Sequence, residues 1–109
     1  PAFKGAVLEL ETRKGYAGLI RFLVGADENL KVTGLYVLQQ NETPGLGTKA
    51  KDRAWWGQFV GQGRENFRFK VKKDGGDVEA ITAATITSRA ITDQVDVGLR
   101  ALAAHLGRR

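Results

Sequence analysis

The last quarter of the chain carries one apolar stripe with helical spacing, and no other feature constrains the fold as strongly. The stripe repeats at intervals of 4, 4, 3 and 4 residues and consists of Ile91, Val95, Leu99, Leu102 and Leu106. Such intervals place side chains on one face of an α-helix. We therefore expect a long amphipathic helix with Thr87 or Ser88 as its N-cap, and with Gly107 at its end.

The first half of the chain has the pattern of β-strands. Residues 6–11 alternate like a half-buried strand, and residues 16–26 are apolar on both faces, as in a central strand. Residues 27–29 would turn the chain into a partner strand over residues 30–39, with Val32, Tyr36 and Leu38 on one face. Strands followed by a long helix predict an α+β fold: an antiparallel β meander packed against the C-terminal helix and a short second helix.

The middle of the chain predicts a loop, a short helix and a further strand. Residues 40–51 contain Pro44 and two glycines, which exclude regular structure. A short helix is expected over residues 52–59, with Asp52 as its N-cap. Residues 67–71 alternate between apolar and basic side chains and predict a strand with one solvated face. We expect Tyr36 and Phe59 in the core.

Composition restricts the chemistry. The 109 residues fit one domain, 1–109, and they include no cysteine and a single histidine, so disulfide and thiolate chemistry are excluded and no metal site is expected. The formal charge is +5, and basic side chains cluster at Arg64, Arg68, Lys70, Lys72 and Lys73. A solvated face is the favoured interpretation, with no nucleic acid as partner. A basic nucleic-acid-binding module without a bound chromophore remains the alternative, and it predicts a colourless protein with salt-sensitive binding.

The chain begins with Pro1 and contains no methionine, so we expect it to be a piece of a longer protein. Within it, no run approaches the roughly 20 apolar residues that are needed to cross a bilayer.

Two segments are hard to explain by packing alone. Residues 41–48 are rich in turn formers, and residues 79–88 carry three threonines and a serine ahead of the long helix. A surface turn and an N-cap cluster would account for them structurally. The functional interpretation is an anion site at a helix start, where free backbone N–H groups and hydroxyls surround a phosphate.

Together, the two segments resemble the FMN-binding domain in the G subunit of the Rnf ion-translocating complex. Residues 42–47 read Glu-Thr-Pro-Gly-Leu-Gly, the signature of that family, and a similar segment occurs in the C subunit of the sodium-translocating NADH:quinone reductase. Residues 82–85 resemble the family's flavinylation motif, Ser/Thr-Gly-Ala-Thr. Ala83 replaces the usual glycine, and Glu79 stands where an aspartate is usual.

The resemblance implies a covalent cofactor. A flavin transferase would join the phosphate of FMN to the hydroxyl of Thr85, and the phosphate would face N–H groups of residues 86–88. Leu46 would contact the flavin ring, while Trp55 and Trp56 are more safely assigned to the core than to ring stacking. The expected cofactor-binding residues are Thr85, Thr82, Ala84, Ile86, Thr87, Glu42, Thr43, Gly45, Leu46 and Gly47.

The function implied is that of an electron carrier and not of a complete enzyme, so no catalytic residue is expected. The domain would pass electrons among other subunits of a membrane redox complex that couples ferredoxin and NAD to ion movement. Its parent would be anchored by an N-terminal membrane helix, with this domain on the extracytoplasmic (periplasmic) side. The alternatives are an FMN-carrying module of the sodium-translocating quinone reductase or of an extracytoplasmic flavoprotein reductase.

Overall fold

A computed structural model describes residues 3–108. Three strands come first, followed by short helical turns and one long helix. The strands are β1 (Gly5–Gly15), β2 (Gly18–Asp27) and β3 (Val32–Gln39), and the α-helices are α1 (Arg53–Trp56) and α2 (Thr85–His105). Short 3-10 turns cover Gly47–Lys51, Gly57–Phe59 and Lys72–Asp74. Within residues 3–108, no helix combines the length and the apolar character needed to cross a membrane.

The strands form an antiparallel sheet in the order β1-β2-β3, with β2 in the centre. Alternate residues of β2 are buried: Ile20, Phe22, Val24 and Ala26. They share the core with the buried face of α2, which supplies Ile91, Val95, Leu99 and Leu102. The predicted α+β class, a meander packed against a long and a short helix, is confirmed.

A β-bulge in β3 changes which side chains are buried. Ala26 pairs with Val32, but Gly25 pairs with Gly34, so Thr33 is an extra residue in the strand. An extra residue shifts the in–out alternation beyond it. Val32 is therefore buried, whereas Tyr36 is 66% exposed. The predictions that Tyr36 belongs to the core, and that Tyr36 and Leu38 share the face of Val32, were wrong, since Leu38 is also exposed.

Helix α2 begins three or four residues earlier than predicted. Its first residue is Thr85, and its N-cap position is Ala84, whose side chain makes no capping bond. Thr87 does not cap because its hydroxyl donates to the Glu42 carboxylate. Ser88 already belongs to the helix, where its hydroxyl donates to the carbonyl of Ala84.

The other end of α2 follows the prediction. Gly107 has a φ of 73°, in the left-handed region that ends many helices. Inside the helix, a Cβ on Gly98 would lie 2.8 Å from Leu10 Cδ1 of β1, so the helix and the sheet are in close contact there.

Residues 67–71 do not form a strand, contrary to the prediction. The alternation of burial is real, since Phe69 and Val71 are buried and Lys70 is exposed. The described chain offers this segment a single parallel bridge, between Val71 and Val78. Alternation of apolar and polar residues indicates which side chains are buried, whereas a strand also requires a neighbouring strand along its length.

Phe59 is fully buried, as expected.

Candidate functional site

A buried carboxylate joins three segments that are distant in sequence. Glu42 is 4% exposed. Its Oε1 accepts hydrogen bonds from Tyr16 N–H at 2.8 Å and from Thr87 Oγ1 at 2.5 Å, and its Oε2 accepts one from Ala17 N–H at 2.8 Å. The β1–β2 turn, the loop over residues 40–46 and the first turn of α2 therefore meet at one side chain.

The loop fits closely around this carboxylate. A Cβ on Gly47 would lie 2.5 Å from Glu42 Cβ and 2.8 Å from Thr87 Oγ1, so only glycine fits. The carbonyl of Thr43 accepts hydrogen bonds from Leu46 N–H at 3.0 Å and Thr48 N–H at 3.3 Å. These bonds close the loop on itself and place Leu46 at its outer edge.

A tight turn leads into α2. Ala84 N–H donates to the carbonyl of Ile81 at 3.0 Å, and Ala83 has a φ of 61°. A positive φ at the third position of such a turn favours glycine, which explains the glycine of the related motif. Ser88 Oγ accepts a hydrogen bond from Ile81 N–H at 2.9 Å and fixes the turn against the helix.

Between these segments lies an open groove of about 480 Å³. It is lined by Tyr16, Thr43, Leu46, Gly47, Ala83, Ala84, Thr85, Ile86 and Thr87. Three of its large apolar side chains face solvent: Tyr16 is 70% exposed, Leu46 37% and Ile86 47%. Apolar walls with a few polar groups are typical of ligand sites.

The backbone at the head of the groove can bind an anion. The first bond of the helix runs from Ser88 N–H to the carbonyl of Ala84, at 3.1 Å. The N–H groups of Thr85, Ile86 and Thr87 precede that bond and have no acceptor within the helix. The predicted donor range of residues 86–88 was therefore one residue too late, because Ser88 N–H is already used.

The structure brings together seven of the ten predicted site residues. Those that line the groove are Thr43, Leu46, Gly47, Ala84, Thr85, Ile86 and Thr87. Glu42 lies behind the groove, and Gly45 is on the exposed side of its loop. Thr82 lines a neighbouring depression of about 240 Å³ with Lys49 and Trp55.

Two groove residues, Tyr16 and Ala83, are absent from the ten predicted, whereas the tryptophans were placed correctly. Tyr16 was assigned to the central strand, although its position directly after the turn signal of Lys14 and Gly15 was available in the sequence. Trp55 is 7% exposed and donates its Nε1–H to the carbonyl of Glu79 at 2.8 Å, so it is a core residue. Trp56 is half-buried and donates to the carbonyl of Lys51.

The basic segment is largely paired with acidic side chains of the same chain. Arg64 meets Asp96 at 3.0 Å, Lys70 meets Asp93 at 3.1 Å, and Lys72 meets Glu79 at 2.8 Å. The Glu79 carboxylate raises the pKa of Lys72 through a hydrogen bond and its charge. These pairs belong to a solvated surface, which is the interpretation the sequence favoured.

Comparison with known proteins identifies the fold and the family. Residues 15–100 match the profile of the FMN-binding domain. The chain is 46% identical over 95 residues to the G subunit of the ion-translocating oxidoreductase complex of Escherichia coli (strain K12), covering 83% of this chain and 46% of the relative. The corresponding protein of Aliivibrio fischeri is 44% identical over 96 residues, with 84% and 46% covered. The chain thus spans about half the length of these relatives.

A solved structure has the same fold. NqrC of Shewanella oneidensis superposes with a TM-score of 0.71 at 22% identity, over 87% of this chain and 48% of that one. At this identity the likeness concerns the fold alone. The profile match spans most of the chain and contains both segments that line the groove. The chain therefore belongs to the FMN-binding domain family.

Proposed function

We propose that this chain is the flavin-carrying electron-transfer domain of an ion-translocating oxidoreductase complex, with FMN joined through its phosphate to the Thr85 hydroxyl. The observation that carries the proposal is the position of Thr85. It is the first residue of α2, it is half-exposed, and it lines a groove formed by both segments that resemble the Rnf family. A hydroxyl in this place is accessible to a second enzyme, as attachment by a flavin transferase requires.

The residues of the groove fit FMN at both of its ends. The N–H groups of Thr85, Ile86 and Thr87 would hold the phosphate at the positive end of the helix dipole. Leu46, Ile86 and Tyr16 offer exposed apolar surface for the flavin ring. Gly47 and Ala84 contribute only backbone and one methyl group to the lining, so no large side chain stands at these positions.

When bound, FMN supplies the redox chemistry. The protein holds the groove in shape through the Glu42 bonds to the β1–β2 turn and to α2. Both carboxylate oxygens of Glu42 already accept hydrogen bonds from N–H and O–H groups of the protein. Glu42 would therefore affect the cofactor only through the segments that it positions. Thr82 faces a different depression and has no role in attachment under this proposal.

The two bacterial relatives extend the proposal to the whole protein. We place the domain 1–109 in a longer, membrane-anchored protein on the periplasmic side, where other subunits of the complex exchange electrons with it. The identity of 46% to a G subunit, against 22% to NqrC, favours this complex over a quinone reductase.

The decisive experiment distinguishes two threonines of one turn. The chain is produced together with a flavin transferase, denatured in SDS and examined for flavin fluorescence on the gel band. We expect a bright band for wild type, for Thr82→Ala and for Thr85→Ser, and a dark one for Thr85→Ala. Intact mass should show an increase of one FMN minus water that disappears only in Thr85→Ala. A fluorescent Thr85→Ala band, or a dark wild-type band, would refute the attachment.

A further inference from the structure

Five exposed basic side chains without acidic partners lie in segments that are next in sequence to the groove residues Tyr16 and Gly47. They are Arg13, Lys14, Lys49, Lys51 and Arg53, and all five are exposed. In the part of the chain that the structure describes, none of them forms a salt bridge. By contrast, most cations of the basic segment over residues 64–73 form salt bridges with acidic side chains, as Arg64, Lys70 and Lys72 do. We refer to the five as the cationic rim.

The rim residues lie close in sequence to residues of the groove. Arg13 and Lys14 lie near the end of β1, shortly before Tyr16, which lines the groove. Lys49 and Lys51 follow Gly47 in the 3-10 turn, and Lys51 lines a separate depression with residues 37–40. Lys49 also lines the depression next to the attachment turn, together with Thr82.

Acidic side chains are fewer in this region than the five cations. Glu42 is buried and its oxygens are engaged by three donors. Asp52 lies among the rim residues, and Glu11 lies on β1 near Arg21. The centre of the region is apolar, since Tyr16 and Leu46 are exposed there. An apolar centre within a polar, charged border is the usual composition of a protein interface.

We infer that the cationic rim is the docking surface for a redox partner protein that carries a carboxylate-rich patch around its own redox centre. The inference rests on the proposed function, because it requires a flavin in the groove. Charge complementarity accelerates encounter and orients the partner, which suits a short-lived contact. A protein is favoured over an anionic lipid surface, because a membrane seated on the rim would cover the groove through which electrons pass.

The first test needs no flavin. The isotope-labelled chain is titrated with a decaglutamate peptide, and amide shifts are followed by NMR. We expect the largest shifts at residues 13–17 and 47–53. Largest shifts around Lys4 and Lys31, at the other end of the molecule, or equal shifts everywhere, would overturn the inference. Sedimentation with phosphatidylglycerol vesicles that requires Lys49 and Lys51, without peptide shifts at the rim, would overturn it in favour of a membrane.

The second test measures the local charge through electron transfer. The flavinylated chain is reduced and mixed with ferricyanide, an anion, or with hexaammineruthenium(III), a cation. Each takes one electron, so two are reduced for each flavin that is oxidised, and the flavin's protons pass to the buffer. The rim variant Lys49→Glu/Lys51→Glu is compared with Lys4→Glu/Lys31→Glu, which changes the net charge equally.

We expect the rim variant to lower the ferricyanide rate about tenfold at low salt and to raise the ruthenium rate. The control pair should change either rate by less than about twofold, and all differences should shrink at high ionic strength. Equal effects of the two pairs would overturn the inference.

Failure of this inference can be separated from failure of the proposed function. A wild-type chain without flavin refutes the attachment, and the peptide titration still tests the rim. If wild type is flavinylated but the rim variant is not, although its circular dichroism is unchanged, the rim serves the attaching enzyme, and the inference is overturned.

Discussion

At the scale of single residues, Glu42 shows what sequence reasoning can reach. The motif that contains it pointed to the site, but its role required the structure. Its partners Tyr16 and Ala17 lie more than twenty residues away, and Thr87 is forty-five residues away. No local pattern reports such contacts. The sequence therefore predicted a cofactor contact, whereas the side chain is buried behind the groove.

The substitution Glu42→Gln should lower the free energy of unfolding by about 2 kcal/mol. An amide NH₂ cannot accept a hydrogen bond, so at least one buried donor loses its partner, and the remaining bonds lose their charge assistance. Urea unfolding measures the change. Glu65→Gln, at an exposed position, is the matched control and should alter stability by less than about 0.5 kcal/mol. Equal stabilities of the two variants would contradict this account of Glu42.

At the scale of elements, long and strongly periodic segments were predicted best. Helix α2 and the central strand follow from their own side chains. The start of α2 was misplaced because Thr87 and Ser88 use their hydroxyls for Glu42 and for the backbone of the turn. The strand expected over residues 67–71 failed because a strand depends on neighbours, which its own sequence does not specify. The bulge at Thr33 could not be predicted from the sequence either, because it is defined by how β3 pairs with β2.

The loop that follows β3 offers a test at this scale. Gly47→Ala should cost about 2 kcal/mol, because the new Cβ would meet Glu42 Cβ, which cannot move without breaking the carboxylate's bonds. Gly34→Ala, in β3, has no heavy atom within 4 Å of the added Cβ and should be neutral or slightly stabilising. Thermal unfolding of both variants would check this. A Gly47→Ala protein that melts no earlier than Gly34→Ala would show that the loop can adapt.

At the scale of the whole molecule, three ion pairs attach residues 64–74, which precede α2 in the chain, to the surface of that helix. Arg89, Asp93 and Asp96 are spaced like one helical face and meet Asp74, Lys70 and Arg64 in turn. The burial of this segment was predictable from its alternation. Its attachment to the helix was not, because each pair joins residues that are far apart in the chain.

These pairs predict a dependence on pH. The Arg89 guanidinium, through its hydrogen bonds and its charge, holds the pKa of Asp74 below its ordinary value. A carboxylate whose pKa is lowered by folding stabilises the protein above its unfolded pKa of about 3.9, and the contribution is lost as the pH falls through the folded value. Asp74→Asn should therefore be less stable than wild type near neutral pH. The difference should disappear in acid. Urea midpoints measured from neutral pH down to about pH 2 would reveal it, and a difference that persists in acid would assign the effect to packing.

The openness of the groove has a consequence for how such a domain keeps its flavin. A freely dissociating cofactor must be retained by enclosure, and every wall residue then contributes to retention. Under the proposed attachment, a single ester bond prevents escape whatever the dilution. The walls of the groove then need not retain the cofactor. Leu46, Ile86 and Tyr16 can therefore be substituted during evolution as long as the flavin ring stays accessible at the surface.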